Sequence, residues 1–369
     1  MNKHGSKARI LGAFTLMSLT TALSAANDMQ MRNLENRVNT LEQLPASSAM
    51  VNPPARPIVR DGTNLWIQGE ALFMHAQEDG LYYGVDGPIN PATGNTNSAG
   101  RVRNTHYEWN WGFRFGAGYN IPHDGWDMLL NWTWFRAHGH RKTNAKNGFL
   151  VKESLTNIAS ANYAFNHGTG ACASANLHFA TLDYELGREF FVSKWLTMRP
   201  FVGGRGGWFK RGLRWTHICT DCDTYDFGRH TTKFSGGGLR GGLNTQWAFG
   251  MGWSVFGDIG LNLLYGTERL HQPGTHQNLG TLRLAYTEKT HDNWIINRPM
   301  LDLAVGIRWD ELIFNDVYRV RFQLGWEQHV LWGFAKSINY VASDEQGKFT
   351  FNNGDLTVSG FAFQGRFDF

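Results

Sequence analysis

The chain has 369 residues, of which 42 % are hydrophobic and only 18 % charged, with a formal net charge of +4. Its mean hydropathy is negative, and no stretch offers the ~18 consecutive apolar residues of a membrane helix, which excludes a helical membrane protein. Glycine stands at roughly 12 % against a usual ~7 %, and aromatics reach 14 % with 15 Trp. These features argue against coiled-coil and disordered classes. They suit an outer-membrane β-barrel, whose lipid and lumen faces alternate and cancel in the average.

Residues 1–26 read as a secretory signal. Lys3, Lys7 and Arg9 make a basic start, Ile10 to Leu23 is a short apolar stretch, and Ser24-Ala25-Ala26 precede Asn27. The apolar stretch is too short to serve well as an anchor, so cleavage after Ala26 is expected. That removes three cations and no carboxylate, taking the formal charge from +4 to +1. Such a balance gives no case for nucleic-acid binding. Residues 27–44 follow as a short amphipathic periplasmic helix, with Met31, Leu34, Val38 and Leu41 at coiled-coil spacing. Fewer than two heptads cannot hold a partner alone. The helix is therefore either a solvated appendage or an aid to self-association. Residues 45–62, with Pro45, Pro53, Pro54 and Pro57, read as an extended linker.

From residue 63 to 369 the period becomes two. Tyr107, Trp109, Trp111, Phe113, Phe115, Ala117 and Tyr119 alternate with Glu108, Asn110, Gly112, Arg114, Gly116 and Gly118. After the turn at Pro122-His123-Asp124-Gly125, Trp126, Met128, Leu130, Trp132 and Trp134 continue the pattern as a hairpin partner. Long strands are expected near 64–76, 105–120, 126–138, 174–190, 195–211, 231–247, 253–267, 293–310, 317–332 and 356–369, each long enough for a tilted crossing. Short turns follow 120, 190, 247 and 310. Long segments at 77–104, 139–173, 212–230, 268–292 and 333–355 alternate with them, as periplasmic turns and external loops do. The expected fold is thus all-β: an antiparallel transmembrane barrel of about ten strands. Further hairpins at Leu81 to Val85 or Phe149 to Lys152 would extend the range to fourteen. The chain ends in alternating aromatics, with Phe367 and the terminal Phe369 matching the signal read by the barrel-assembly machinery.

Four segments carry a family resemblance. They are Glu78 to Tyr83, Leu182 to Glu189, Leu196 to Gly206 and Gly252 to Ile259. They resemble the Legionella-type major outer membrane proteins, a family expanded in amoeba-associated relatives of Chlamydia, over roughly residues 60–369. The resemblance implies an abundant Gram-negative outer-membrane protein with porin activity, and it assigns no role to any single residue.

With the apolar set of each strand facing lipid, the lumen receives Arg114, Arg199, Arg205, Arg240, Arg308, Arg319, Arg321 and Arg366. Against them stand Glu70, Glu108, Asp127, Asp183, Glu185, Asp258, Asp302, Asp310 and Glu327. Eight against nine predicts weak charge selectivity, since selectivity follows rings of one sign. Ten strands lie near the narrow end of barrel sizes, so these charges either line a pore for small hydrophilic solutes or pair across the lumen and close it. Gly112, Gly116, Gly118, Gly238 and Gly242 are expected to leave room there or to ease bending. Two functions follow. One is a porin allowing passive diffusion. The other is a closed structural or adhesive surface barrel cross-linked by disulfides.

The cysteines are Cys172, Cys219 and Cys222, all in or beside expected external loops. Export permits disulfides. A local Cys219–Cys222 bond, an intermolecular link, metal binding and free thiols all remain open. The family resemblance adds weight to cross-linking with envelope proteins. His217 and His230 are too loosely placed to complete a zinc site, and Asp221, Asp223 and Asp226 are too irregular for a calcium loop. No cofactor, metal or catalytic residue is expected: no Gly-x-Ser-x-Gly elbow, phosphate loop or convincing Asp–His spacing occurs. The expected partners are outer-membrane lipid, the barrel-assembly machinery and small solutes. A homo-oligomer, a trimer by analogy with porins, would be helped by the N-terminal helix. The expected location is the outer membrane, reached by the general secretory route.

Overall fold

A computed structural model of the chain describes residues 55–86, 101–122, 124–144, 150–152, 167–219, 224–278, 284–340 and 349–369. The signal segment, the helix at 27–44 and most of the linker lie outside these residues, as does Cys222. Ten antiparallel strands form the barrel: β1 (Leu65–Glu78), β2 (Trp109–Asn120), β3 (Trp126–Asn144), β4 (Gly170–Arg188), β5 (Leu196–Cys219), β6 (Thr224–Gly250), β7 (Trp253–Asn278), β8 (Leu284–Ile313), β9 (Tyr318–Tyr340) and β10 (Phe349–Asp368). Each pairs with its neighbours in sequence, and β10 closes on β1 from Trp66↔Asp368 to Glu78↔Leu356. Closure leaves no open edge in the bilayer, where an unpaired backbone group is costly.

The short turns lie where the sequence places them. At 250–253 a two-residue turn joins Gly250 to Trp253, with Met251 (φ 54) and Gly252 (φ 77) both left-handed, the geometry that matches strand twist in a hairpin. Asp310 donates its backbone N–H to the Gly252 carbonyl, and a Cβ on Gly252 would stand 2.4 Å from the Asp310 carbonyl oxygen.

The external side differs from expectation. Segments read as loops at 212–230, 268–292 and 333–355 largely continue the ladders, so β6 runs for 27 residues and β8 for 30. A crossing takes only ~9–11 residues, so these hairpins rise well above the lipid. The pieces Tyr82–Asp86, Val102–Asn104, Leu150–Lys152 and His167–Gly168 form a separate four-stranded sheet. The extra hairpin candidates are therefore strands, but they add no crossing, and the barrel count is ten.

Alternation of burial shows two zones. In the lower zone aromatics point out: Trp109, Trp111, Phe113, Trp126, Trp132 and Trp247 are all at the outer surface. Polar side chains point in. Above Trp134, Ala180 and Trp208 the two faces exchange character. Outward positions become Arg136, His178 and Lys210, and inward positions become Phe135, Phe179 and Phe209, each buried. This is the distribution of a soluble barrel in water, and it marks where lipid ends.

Candidate functional site: the barrel lumen

The lumen is built in tiers. At the periplasmic mouth, Arg319 and Arg321 converge on Asp310 at 2.6 and 2.8 Å. Arg366 binds Asp368 through two hydrogen bonds of 2.6 and 2.8 Å and lies 3.8 Å above the Trp66 ring. Arg308 donates to Gln323 and Gln246. Arg56, from the linker, donates to the carbonyls of Ile121, Gly125 and Trp126 and so anchors that segment at this end.

The middle tier is a continuous ion-pair network. Arg199 holds Asp127 and, at 3.1 Å, Glu185. Glu185 accepts from Arg240 at 2.9 Å, and Arg240 reaches Asp302. Asp302 also receives Arg205 at 2.7 Å, while Arg205 grips Asp183 with two hydrogen bonds of 2.5 and 2.7 Å. His329 Nδ1 lies 2.8 Å from the other Asp302 oxygen, and its Nε2 lies 3.5 Å from Glu327. Glu327 is held by Arg114 at 3.0 and 2.8 Å, and Arg114 also pairs with Glu70. With Asn262 donating to Asp302 and Gln364 to Glu70, the network takes a side chain from every one of the ten strands. Fork-shaped guanidiniums suit this arrangement, because each serves two carboxylates at once. A cavity of about 180 Å³ lies among these groups.

Above it lies an apolar tier that sequence reasoning missed. Phe209 packs against Phe179, Phe234 and Phe334 with ring centroids 4.9, 5.8 and 6.0 Å apart. Leu72, Met74, Leu264, Met300 and Leu331 complete the layer, all of them buried. Arg205 Nη1 lies 3.3 Å from Met300 Sδ, and the Phe179 ring sits 5.7 Å from His329, so the charged and apolar tiers are in contact. Higher still are two further buried ion pairs, Arg211–Glu78 and Arg298–Glu268, with the Tyr107 hydroxyl donating to Glu78 at 2.8 Å. Leu81, Tyr83 and Tyr107, which lie between β1 and β2, are buried over this tier, and His217 Nε2 lies 2.5 Å from the Tyr83 carbonyl oxygen. Among the described residues, the apolar side chains of these tiers form one continuous buried cluster in the upper barrel.

Sixteen of the seventeen charges placed in the lumen by alternation do point inward. The exception is Glu108. It is exposed, with its carboxylate 3.5 Å from His138. Tyr107 is buried and both Glu108 and Trp109 are exposed, so the alternation slips by one just before β2. The five glycines placed in the lumen face it, but the room they leave is occupied. A Cβ at Gly118 would stand 2.2 Å from the Trp66 ring, and one at Gly242 would stand 2.6 Å from Phe201.

Cys172 is a free thiol on the outward face of β4. Cys219 ends β5, opposite Thr224, and a Cys219–Cys222 bond lies outside the described residues. No metal-binding group of His, Cys, Asp and Glu occurs among the described residues. At the C-terminus Phe367 stacks on Tyr318 at 5.3 Å, and the Phe369 carbonyl accepts from Thr63.

Solved structures that align with the chain share little sequence with it. The outer membrane protease OmpT from Escherichia coli is 7 % identical with a TM-score of 0.40, covering 84 % of this chain and 97 % of its own. The CymD monoaromatic hydrocarbon channel is 10 % identical with a TM-score of 0.31, covering 83 % and 88 %. A Pseudomonas aeruginosa FadL homologue is 9 % identical with a TM-score of 0.24, covering 87 % and 93 %. Likenesses of this size carry no argument about function. No curated protein matches. The family model described as the Legionella pneumophila major outer membrane protein precursor matches residues 60–369, the whole barrel, and the chain belongs to that outer-membrane protein family.

Proposed function

We propose that this chain is a non-catalytic outer-membrane barrel that keeps its lumen closed at rest and serves the envelope from its outer surface. The observation that carries the reading is the apolar tier around Phe209. Stacked rings with no polar atoms give hydrated ions no partner, and the ion pairs beneath leave few charges free to greet a solute. Liposome swelling tests it. Vesicles holding the refolded chain should shrink and stay shrunken in a pentose or small oligosaccharide, as protein-free vesicles do. Re-swelling at a rate that falls with solute size would overturn the reading.

A second reading is a porin for small hydrophilic solutes with weak charge selectivity. It is favoured by family membership and by the charged cavity of about 180 Å³. It requires the aromatic tier and the segment bearing Leu81 and Tyr83 to move aside. Under either reading, Phe369 serves as the signal for barrel assembly. The helix at 27–44 and the external cysteines then offer routes to a homo-oligomer or to disulfide-linked envelope partners.

A further inference from the structure

Above the lipid-facing aromatics, the outer wall carries a row of basic side chains in direct cross-strand register. Four of them are Arg or Lys cations, and the fifth, His178, is held toward its neutral form by burial and by its neighbours Arg136 and Lys210. Arg136 on β3 stands opposite His178 on β4, His178 opposite Lys210 on β5, Lys210 opposite Lys233 on β6, and Lys233 opposite Arg269 on β7. Four residues further from the lipid along each strand, Arg214 and Arg229 face each other across β5 and β6. Neighbouring strands lie ~4.8 Å apart, so the row extends roughly 20 Å around the barrel. Like charges directly opposite each other on a sheet repel. No salt bridge to a carboxylate is made by Arg136, His178, Lys210, Lys233, Arg269, Arg214 or Arg229 among the described residues. The carboxylate of this wall that does reach a basic neighbour, Glu108, is engaged with His138. A feature repeated over five strands at an energetic cost calls for an anion from outside.

The wall also has a notch. Gly212 lacks a side chain, and a Cβ built there would find its first neighbours only at 4.0 Å. The depression of about 130 Å³ at this point is edged by Asn176, His178, Lys210, Arg214 and Arg229. Four basic side chains and one amide around a hollow of this size suit a phosphate group. Directly below, two residues along each strand, Ala180 and Trp208 continue the apolar surface that faces lipid.

We propose that this notch binds a phosphate of a phosphorylated glycolipid in the outer leaflet, whose acyl chains lie along the Trp134, Ala180 and Trp208 surface. The outward and sideways aim of the row favours a membrane lipid over a soluble partner. A phosphate at the notch is reached by Lys210, Arg214 and Arg229. A second anionic group on the same headgroup is served by Lys233 and Arg269 further along the row. The lipid thereby neutralises the repulsion that the bare wall carries.

The test uses the full mature chain refolded in detergent micelles, with native mass spectrometry reading retention of a bisphosphorylated, acylated disaccharide. The wild type should retain it. The dephosphorylated form of the same lipid, and the variant Lys210→Gln/Arg214→Gln/Arg229→Gln, should each bind at least about tenfold more weakly, the change that 1.4 kcal/mol makes. Arg60→Gln, at the opposite end of the barrel, should bind like the wild type. Equal retention of both lipid forms by the wild type would overturn the proposal whether or not the triple variant folds. Displacement of the lipid by a sulfated oligosaccharide lacking acyl chains, or by inorganic phosphate, at equal concentration would overturn the lipid assignment.

Discussion

Removing Arg114 separates a closed, dry lumen from a wet one. Its guanidinium pairs with Glu70 and Glu327 and donates to Thr133 at 3.0 Å. The three charged side chains are only 13 %, 3 % and 8 % exposed. In Arg114→Ala both carboxylates lose their main counter-charge, leaving Gln364 on Glu70 and His329 on Glu327. Breaking a buried pair by deleting one partner costs about 3–5 kcal/mol, so a loss in that range is expected. Replacing the trio together, as Arg114→Met/Glu70→Gln/Glu327→Gln, removes the uncompensated charges and should recover most of it. Urea unfolding in lipid vesicles, followed by tryptophan fluorescence and by heat-modifiable migration on gels, reads both effects. A loss below about 1 kcal/mol, the value of an exposed ion pair, would refute the reasoning. Water in an open lumen would then be screening these groups.

Other expectations follow from single features. Phe209→Ala should cost about 3–5 kcal/mol for the cavity it leaves and should raise the leak of small ions, read by dye-release or conductance against the wild type. Gly238→Ala should lower the folded yield, because a Cβ there stands 1.9 Å from the Leu263 carbonyl oxygen. Gly69→Ala, with open space around it, should behave like the wild type in the same refolding assay. Cys172, free and facing outward, should react on intact cells with a membrane-impermeant maleimide without prior reduction. Protection of Cys172 until a reductant is added would show it bonded to another chain.

Much of this architecture is legible in the sequence because lipid imposes a strict rule. Where Trp126, Met128, Leu130, Trp132 and Trp134 alternate with Asp127, Asn131 and Thr133, one face must meet hydrocarbon and the other cannot. Strand bounds and inward charges then follow together. The rule lapses above the membrane. There β6 and β8 continue as paired strands through polar sequence, since a ladder in water needs no apolar face. The same change hides the seal. Once His178 and Lys210 point outward, the intervening Phe179 and Phe209 point inward, and a scheme that sends every aromatic to lipid misplaces them. Arg211, Glu78, Arg298 and Glu268 escape a parity rule because they sit at or beyond the ends of the clean alternation, or because their partners lie in polar segments with loop-like composition. Glu108 shows the opposite failure. Parity assigns it to the lumen, but the alternation slips between Tyr107 and Trp109, which period counting cannot anticipate.

Single-channel recording of the refolded mature chain in a planar bilayer tests the central claim most directly, with Phe209→Ala/Phe334→Ala recorded beside it. A lumen sealed by the aromatic tier predicts that folded, heat-modifiable wild-type protein gives no steady steps, while the double variant gives openings. Discrete steps of stable size from the wild type, scaling with salt and unchanged by removal of the two rings, would contradict the seal and establish a permanently open pore.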